Sequence, residues 1–279
     1  MPQSIYTAKR DIVEAGRRVY QRGYVASNDG NISARVDEKR VIITPTGVSK
    51  GFMDPEDLVE VDMDGRVLSP GKKPSSEVYM HLRIYKERPD VNSVCHAHPL
   101  YATGFAVAGI PLDQCVLPEV IISLGSIPLV EYGTPGTEEF YLPLLEYLPD
   151  HDAFLLANHG ALSIGSDIMN AYYKMETLEH FARIAFIARQ LGHMNVLGPE
   201  QTEKLYNLRE QHGITTGGAC RTRNDVREPA EQSGTSNDRA VPCSASRDPQ
   251  KSNGEEIEKE ALVQQITDAI ARQLSSDSG

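Results

Sequence analysis

The sequence predicts an α/β fold in a single domain, followed by a C-terminal tail of different composition. Apolar runs typical of strands alternate with helical patterns up to about residue 215. From residue 216 to 255 the chain is rich in Gly, Pro, Ser, Asn, Arg and Asp and has almost no large apolar side chains. Such a segment cannot bury enough surface to offset the entropy lost on ordering. We therefore expect a domain over 1–215, a flexible, disordered linker over 216–255 and an amphipathic helix over 256–275.

Local patterns place the elements of the domain in order. Apolar residues at helical spacing predict a first helix over residues 4–22, ended by Gly23. A helix is expected to begin at Ser75 or Ser76 and to end at Glu87, because Pro89 follows. The other expected elements are strands at 32–36, 41–44, about 91–98, 127–130 and 153–158, and helices at 102–108, 137–145 and 167–191.

Bulk properties exclude some functions. The net charge of −11 argues against a nucleic-acid partner, because no basic surface is available to neutralise phosphates. No apolar run is long enough to span a bilayer, and the N-terminus has no apolar signal-peptide core, so we expect a cytoplasmic protein without a membrane partner. The chain has four cysteines: Cys95, Cys115, Cys220 and Cys243. Their spacing matches neither a paired motif nor a zinc knuckle, so we expect reduced thiols.

Three histidines form a candidate metal site. His96 and His98 lie on the same side of the chain only if the backbone is extended, and the preceding β-prone run favours a strand. His159 follows a second apolar run, 153–158. Two strand ends that bring three neutral imidazoles together would make an open divalent-metal site. An isolated H-x-H pair is more often structural than metal-binding, so the pair depends on its context.

Short polar motifs upstream could form an anion-binding cradle. They supply backbone N–H groups and small hydroxyl or amide donors without any arginine: Gly30-Asn31, Thr46-Gly47 and Ser75-Ser76. Each motif alone is ordinary turn or N-cap chemistry. Glu77 follows the serine pair, where we expect it in the first turn of the helix. There a carboxylate either compensates the helix dipole or serves a metal and moves a proton.

In this order the motifs resemble those of the class II aldolase/adducin family, zinc-dependent aldolases of the fuculose-1-phosphate type. The resemblance extends to the segments 43–47, 73–77 and 132–137 and covers the chain to about residue 215. It implies a single α/β domain around a mainly antiparallel central sheet. It also implies a C4 homotetramer with active sites at the subunit interfaces.

The resemblance implies a role for each matching residue. His96, His98 and His159 would bind one Zn²⁺ per subunit, with Glu77 as fourth ligand at rest and general acid/base in turnover. The substrate phosphate would be held by the residues of the cradle: Gly30, Asn31, Thr46, Gly47, Ser75 and Ser76. The implied reaction cleaves a 6-deoxyketohexose 1-phosphate, such as L-fuculose or L-rhamnulose 1-phosphate, to dihydroxyacetone phosphate and lactaldehyde.

Other activities within the resemblance stay open. Pentulose-phosphate 4-epimerases carry Asp where this chain has Glu77, and a methylthioribulose-phosphate dehydratase fits the Ser-Ser-Glu motif less well. A non-catalytic adducin-like scaffold would have no need for four metal-site residues. Two aldolase tyrosines are missing: residues 114–119 replace one, and the other is replaced near His212. Both departures concern the aldehyde half of the substrate.

The predicted C-terminal helix has a function of its own. Its apolar residues recur at three- and four-residue steps and form one face: Ala261, Leu262, Ile266, Ala269, Ile270 and Leu274. An amphipathic helix on a long tether resembles the encapsulation peptides that direct enzymes into bacterial microcompartments. Residues 256–275 would then bind shell or co-cargo proteins and place the enzyme in the compartment lumen. The alternatives are a helix that packs on its own tetramer and the end of a coiled coil.

Overall fold

Alternating apolar side chains give this chain a sheet with two buried faces. The computed structural model describes residues 4–225. Its strands are β1 (Asn31–Arg35), β2 (Arg40–Ile43), β3 (Val59–Asp62), β4 (Ser93–Ala97), β5 (Leu129–Val130), β6 (Ala153–Leu156) and β7 (Gly160–Gly165). Its α-helices are α1 (Ile5–Gln21), α2 (Val78–Glu87), α3 (Leu100–Val107), α4 (Pro118–Ser123), α5 (Glu138–Tyr141), α6 (Ile168–Gln190) and α7 (Pro199–Gln211).

The strands form one seven-stranded sheet in the order β3-β2-β1-β4-β7-β6-β5. Every neighbouring pair is antiparallel except β5 and β6, so the prediction of a mainly antiparallel central sheet is confirmed. Side chains of even and odd positions point to opposite faces. On β4, Cys95 and Ala97 face α1, α3 and α6, whereas Val94 faces α2 and the segment 140–148. His96 shares the parity of Val94 and therefore lies on the α2 face.

Most predicted elements are present, within a few residues of their expected bounds. The first difference that matters lies at α2, which begins at Val78 and not at Ser75 or Ser76. The expected helix over 137–145 is split into α5 and a 3-10 turn at Pro143–Glu146. Four further elements lacked a clear local pattern: β3, β7, α4 and α7. Of these, β7 is a buried central strand, and its pairing with β4 completes the sheet beside the histidines.

The structured domain extends past the expected boundary at residue 215. Thr216 donates its hydroxyl to the Asp152 carboxylate (2.6 Å), and the backbone of residues 217 and 218 donates to the Asp150 carbonyl. A disulfide joins Cys115 to Cys220, so the expectation of reduced thiols is wrong for these two cysteines. Their sequence separation of 105 hides the pairing, which the fold creates by bringing the segment after α7 against the loop before α4. The composition of residues 216–225 predicted a linker because they have few large apolar side chains. Their contacts are instead made by the backbone and by small side chains.

The remainder of the linker and the amphipathic helix predicted over 256–275 lie outside the described residues. Within residues 4–225, no helix is both long and apolar enough to cross a membrane.

Candidate metal centre and anion pocket

Strand register brings the three predicted metal-binding histidines together. Asn31 on β1 lies directly opposite His96 on β4. His98 follows the end of β4, and its backbone N–H donates to the Tyr24 carbonyl (2.8 Å). His159 lies in the turn between β6 and β7. Because β7 pairs with β4, this turn is held against the end of the strand that carries His96.

The three imidazoles converge through the same ring atom. His96 Nε2 lies 3.2 Å from His98 Nε2 and 3.0 Å from His159 Nε2. Four ligands at about 2.0–2.1 Å from a tetrahedral zinc ion are separated by about 3.3 Å, so these spacings suit such an ion. Potential ligand atoms of all three rings lie within 4.8 Å of one another.

Proton positions on His96 also fit a cation. Its Nδ1 lies 2.9 Å from the Ala161 carbonyl, which only accepts, so Nδ1 carries the proton. Burial lowers the pKa of His96 to about 3, which leaves the ring neutral with a lone pair on Nε2. That lone pair faces a carboxylate oxygen of Glu77 at 3.3 Å. A cation between the two would turn this repulsive contact into shared coordination.

Glu77 completes the cluster from the other side. Its Oε1 lies 3.1 Å from His159 Nε2, and its Oε2 accepts from Asn31 Nδ2 at 2.6 Å. Burial by itself would raise the pKa of Glu77, but the two nearby histidines and Asn31 outweigh it and lower this pKa below its usual range. Glu77 immediately precedes α2, so the expectation that it lies in the first turn of this helix is wrong. Its backbone N–H donates to Ser75 Oγ (3.3 Å), which helps to fix this turn.

Two glycines make room for the three histidines. A Cβ on Gly160 would lie 2.5 Å from the His98 ring and 2.7 Å from the Ala97 carbonyl. Gly30 has φ +70°, and a Cβ there would lie 2.8 Å from the His96 carbonyl. Real Cβ atoms do not approach so closely, so the cluster requires glycine at both positions. Phe140 packs edge-on against the His159 ring with 4.9 Å between centroids.

The predicted anion-binding motifs meet at one cavity beside the histidines. The Thr46 N–H donates to the Lys73 carbonyl (3.0 Å) and the Ser75 N–H to the Thr44 carbonyl (3.1 Å), so the two loops run side by side. A cavity of about 170 Å³ is lined by all six predicted phosphate-binding residues: Gly30, Asn31, Thr46, Gly47, Ser75 and Ser76. Glu77, His96 and His98 line the same cavity, which places this candidate anion pocket next to the candidate metal centre.

The structure adds two residues that sequence reasoning missed. Lys50 also lines the cavity, although its ammonium donates to the carbonyls of Asn28 (3.0 Å) and Val48 (2.6 Å). Asp29 lies 3.6 Å from His98 Nδ1, on the opposite side of the ring from Nε2, which faces His96. A lysine two residues after the Thr46-Gly47-Val48 turn was a usable signal for a cation near the cradle. Asp29 offered none, because acidic residues are common in turns.

Sequence comparison identifies a shared domain. The profile described as "Class II Aldolase and Adducin N-terminal domain" matches residues 10–186. The chain is 36% identical over 183 residues to the 3-oxo-tetronate 4-phosphate decarboxylase of Haemophilus influenzae, which covers 64% of this chain and 86% of the relative. It is also 36% identical over 181 residues to the L-fuculose phosphate aldolase of Methanococcus maripaludis, covering 65% and 97% respectively.

Solved structures share the fold. The crystal structure of YgbL from Escherichia coli superimposes with a TM-score of 0.67 at 32% identity, covering 73% of this chain and 99% of YgbL. A structure of an L-fuculose 1-phosphate aldolase gives a TM-score of 0.68 at 30% identity, covering 73% of this chain and 96% of that one. The relatives thus carry two different activities on one fold.

Proposed function

The chain belongs to the class II aldolase and adducin family, whose enzymes are of the metal-dependent type, and on that premise we propose that it is a zinc-dependent lyase. Its substrate would be a 6-deoxyketohexose 1-phosphate such as L-fuculose or L-rhamnulose 1-phosphate, cleaved to dihydroxyacetone phosphate and lactaldehyde. One observation carries the proposal: three imidazoles and a carboxylate converge at one side of a cavity lined by six small anion-binding residues.

The residues divide the work between two ends of the substrate. Backbone N–H groups and hydroxyls of the cradle would bind the phosphate, which positions the bond between C3 and C4. His96, His98 and His159 would hold the divalent cation, which supplies a Lewis acid for the carbonyl and the neighbouring hydroxyl. When the C3–C4 bond breaks, its electron pair stays on C3, and the C4 hydroxyl passes its proton through water to the ionised Glu77 as the aldehyde forms. Glu77 would deliver a proton to C3 and so complete dihydroxyacetone phosphate.

Decarboxylation of a 3-oxo-tetronate 4-phosphate is the second candidate. Here the bond between C1 and C2 breaks, CO₂ leaves, and the electron pair on C2 takes a proton, which again gives dihydroxyacetone phosphate. Relatives with this named activity match the chain as well as the aldolases do. This reaction needs no group to manage an aldehyde oxygen. The segment 114–119, which lacks the aldolase tyrosine, is instead held by the disulfide at Cys115.

A substrate panel separates these activities. Four diastereomeric deoxyketohexose 1-phosphates, 3-oxo-tetronate 4-phosphate and L-ribulose 5-phosphate are assayed with a coupled readout for dihydroxyacetone phosphate. The aldolase proposal predicts dihydroxyacetone phosphate and lactaldehyde from at least one hexose derivative. Product from the tetronate alone, with CO₂, supports the decarboxylase. Epimerisation of the pentulose without any cleavage, or no turnover by metal-loaded protein, contradicts both lyases.

Glu77→Gln tests the proton-transfer step. The variant keeps the shape of the side chain but removes its charge and basicity, so we expect turnover to fall about 10²–10⁴-fold while a metal ion is retained by the three histidines. Glu179→Gln is the matched control, since this glutamate is equally buried but accepts only from the backbone of Tyr101 and Ala102. Unchanged cleavage by Glu77→Gln, or purified protein that binds no divalent metal, refutes the mechanism.

We further propose that residues 256–275 target the enzyme to a bacterial microcompartment. Support comes from the sequence alone, through the apolar face and the tether that precedes it. Deletion of 256–279 should leave the kinetics intact and abolish co-purification with shell proteins. Persistent association after deletion contradicts targeting.

A homotetramer completes the proposal, as the family resemblance implies. A groove of about 900 Å³ between α3, α4, α6 and the segment that follows α1 offers surface for subunit contact; its lining includes Arg22, Tyr101, Leu117, His180 and Arg183. Light scattering of the purified protein measures the assembly directly, and a monomer at assay concentration contradicts it.

A further inference from the structure

A buried row of polar side chains leads away from Glu77 into the protein. Asn31 Nδ2 lies 2.6 Å from Glu77 Oε2, and Asn31 Oδ1 lies 2.5 Å from His81 Nε2. His81 Nδ1 lies 2.7 Å from Ser33 Oγ, which is 2.6 Å from the Tyr85 hydroxyl. All five side chains are buried, and His81 and Ser33 are fully inaccessible. Because these side chains are shielded from bulk solvent, a wrongly placed proton would leave a buried donor or acceptor unpaired.

The row follows from the packing of α2 across β1. Asn31 and Ser33 are two residues apart on a strand and so share its α2 face. His81 and Tyr85 are four residues apart on α2 and so share one helix face. The strand pair and the helix pair form hydrogen bonds with each other where α2 crosses β1. The sequence analysis placed Asn31 near Glu77, as part of the predicted cradle. It did not connect Ser33, His81 or Tyr85 with Glu77.

The charge on Glu77 dictates the direction of every hydrogen bond in the row. An ionised carboxylate only accepts, so Asn31 must turn its NH₂ group toward Glu77 and its Oδ1 toward His81. His81 must then donate from Nε2. Burial lowers the pKa of His81 to about 4, so the ring is neutral and its Nδ1 accepts from the Ser33 hydroxyl. Ser33 has then used its only proton, which makes Tyr85 the donor to Ser33 Oγ. Every donor points toward Glu77.

We propose that His81 is a positioning residue, whose Nε2–H tautomer locks the Asn31 amide with its NH₂ group on Glu77. A flipped amide would place Oδ1 against the carboxylate and turn an attractive contact into a repulsive one. His81 prevents this because its Nε2–H would then meet an NH₂ group, and both would be donors. The inference rests on the proposed role of Glu77 as a metal-side carboxylate. His81 thus orients the hydrogen bond to the Glu77 carboxylate through Asn31, without touching Glu77 itself.

Neutron diffraction from deuterium-exchanged crystals of the metal-loaded protein reads the proton positions directly. We expect deuterium on His81 Nε2, none on Nδ1, and the ND₂ group of Asn31 toward Glu77. Deuterium on Nδ1 alone, or a flipped amide, overturns the proposal. The result does not depend on turnover. Protein that shows this arrangement but cleaves no substrate contradicts the proposed function and leaves the inference standing.

Metal affinity provides a second measurement. His81→Phe keeps an aromatic ring but removes both nitrogens, and we expect the dissociation constant for Zn²⁺ to rise about 10- to 100-fold, as for other partners of metal-site residues. His81→Gln retains an N–H donor toward Asn31 and should recover most of the loss. His151→Phe is the control, because this half-buried ring also hydrogen-bonds through both nitrogens, to Ser126 and Tyr147.

The outcomes separate positioning from general destabilisation. A loss with His81→Phe, recovery with His81→Gln and no change with His151→Phe support the proposal. Equal losses in His81→Phe and His151→Phe, or an affinity of His81→Phe within twofold of wild type, overturn it. If His81→Phe does not fold, the neutron result on the wild-type protein decides.

Discussion

Replacing Lys50 by methionine tests whether a buried cation supports the anion pocket. The Lys50 residue is only 2% exposed, and its ammonium donates to the carbonyls of Asn28 and Val48, one in each of two loops that line the pocket. Methionine matches the length of the side chain and removes both the charge and the donors. Burial lowers the pKa of Lys50 from 10.5 to about 8, partly opposed by the charge of Asp29.

This lowered pKa predicts a pH-dependent stability with a definite sign. Below pH 8 the lysine is protonated in both states, and the folded protein carries the cost of burying the charge. Between pH 8 and 10.5 the unfolded chain binds more protons than the folded one, so stability rises with pH by about 1.4 kcal/mol per unit. From pH 7 to pH 10 the wild type should therefore gain about 2.5 kcal/mol relative to Lys50→Met.

Urea unfolding at pH 7, 8, 9 and 10 measures this difference, because the titration of all other groups cancels between the two proteins. The exposed Lys204→Met variant, measured in the same way, controls for the loss of a lysine side chain as such. In the same Lys50→Met protein, the KM for the phosphorylated substrate should rise while kcat stays near the wild-type value. A flat difference between wild type and Lys50→Met from pH 7 to 10 refutes the buried charge.

Three further perturbations probe stability. Asp152→Asn removes the buried carboxylate that pairs with the partly buried Lys174 and that shares Arg88 with Asp90. It should lower the free energy of unfolding by about 3–5 kcal/mol in urea titrations, whereas the exposed Glu87→Gln should change it by less than about 1 kcal/mol. Reduction of the bond between Cys115 and Cys220 should cost about 2–5 kcal/mol, and a melting temperature unaffected by reductant would contradict a structural disulfide. Stripping metal with a chelator should lower the melting temperature, and Zn²⁺ at about 100 times its dissociation constant should restore about 2.7 kcal/mol; a melting curve indifferent to metal would argue against the centre.

The sequence alone determined the fold class and the residues of the candidate site. Period-two apolar runs and helical patterns located most elements, because burial on one or two faces imposes those periods on the chain. The order of Gly30-Asn31, Thr46-Gly47, Ser75-Ser76-Glu77 and the three histidines was visible without coordinates. Anion binding by backbone N–H groups requires small residues in turns, and metal binding requires imidazoles. Such requirements act on neighbouring positions and are therefore visible in the sequence.

Contacts between distant segments were decided only by the tertiary structure. The register of β1 on β4 places Asn31 opposite His96, and the crossing of α2 over β1 sets His81 behind Asn31; no local pattern fixes either, since both depend on how whole elements pack. The disulfide at Cys115 depends likewise on the path of the chain after α7. The contacts of residues 216–225 were not predicted, because backbone hydrogen bonds, unlike buried apolar surface, are not visible in the composition.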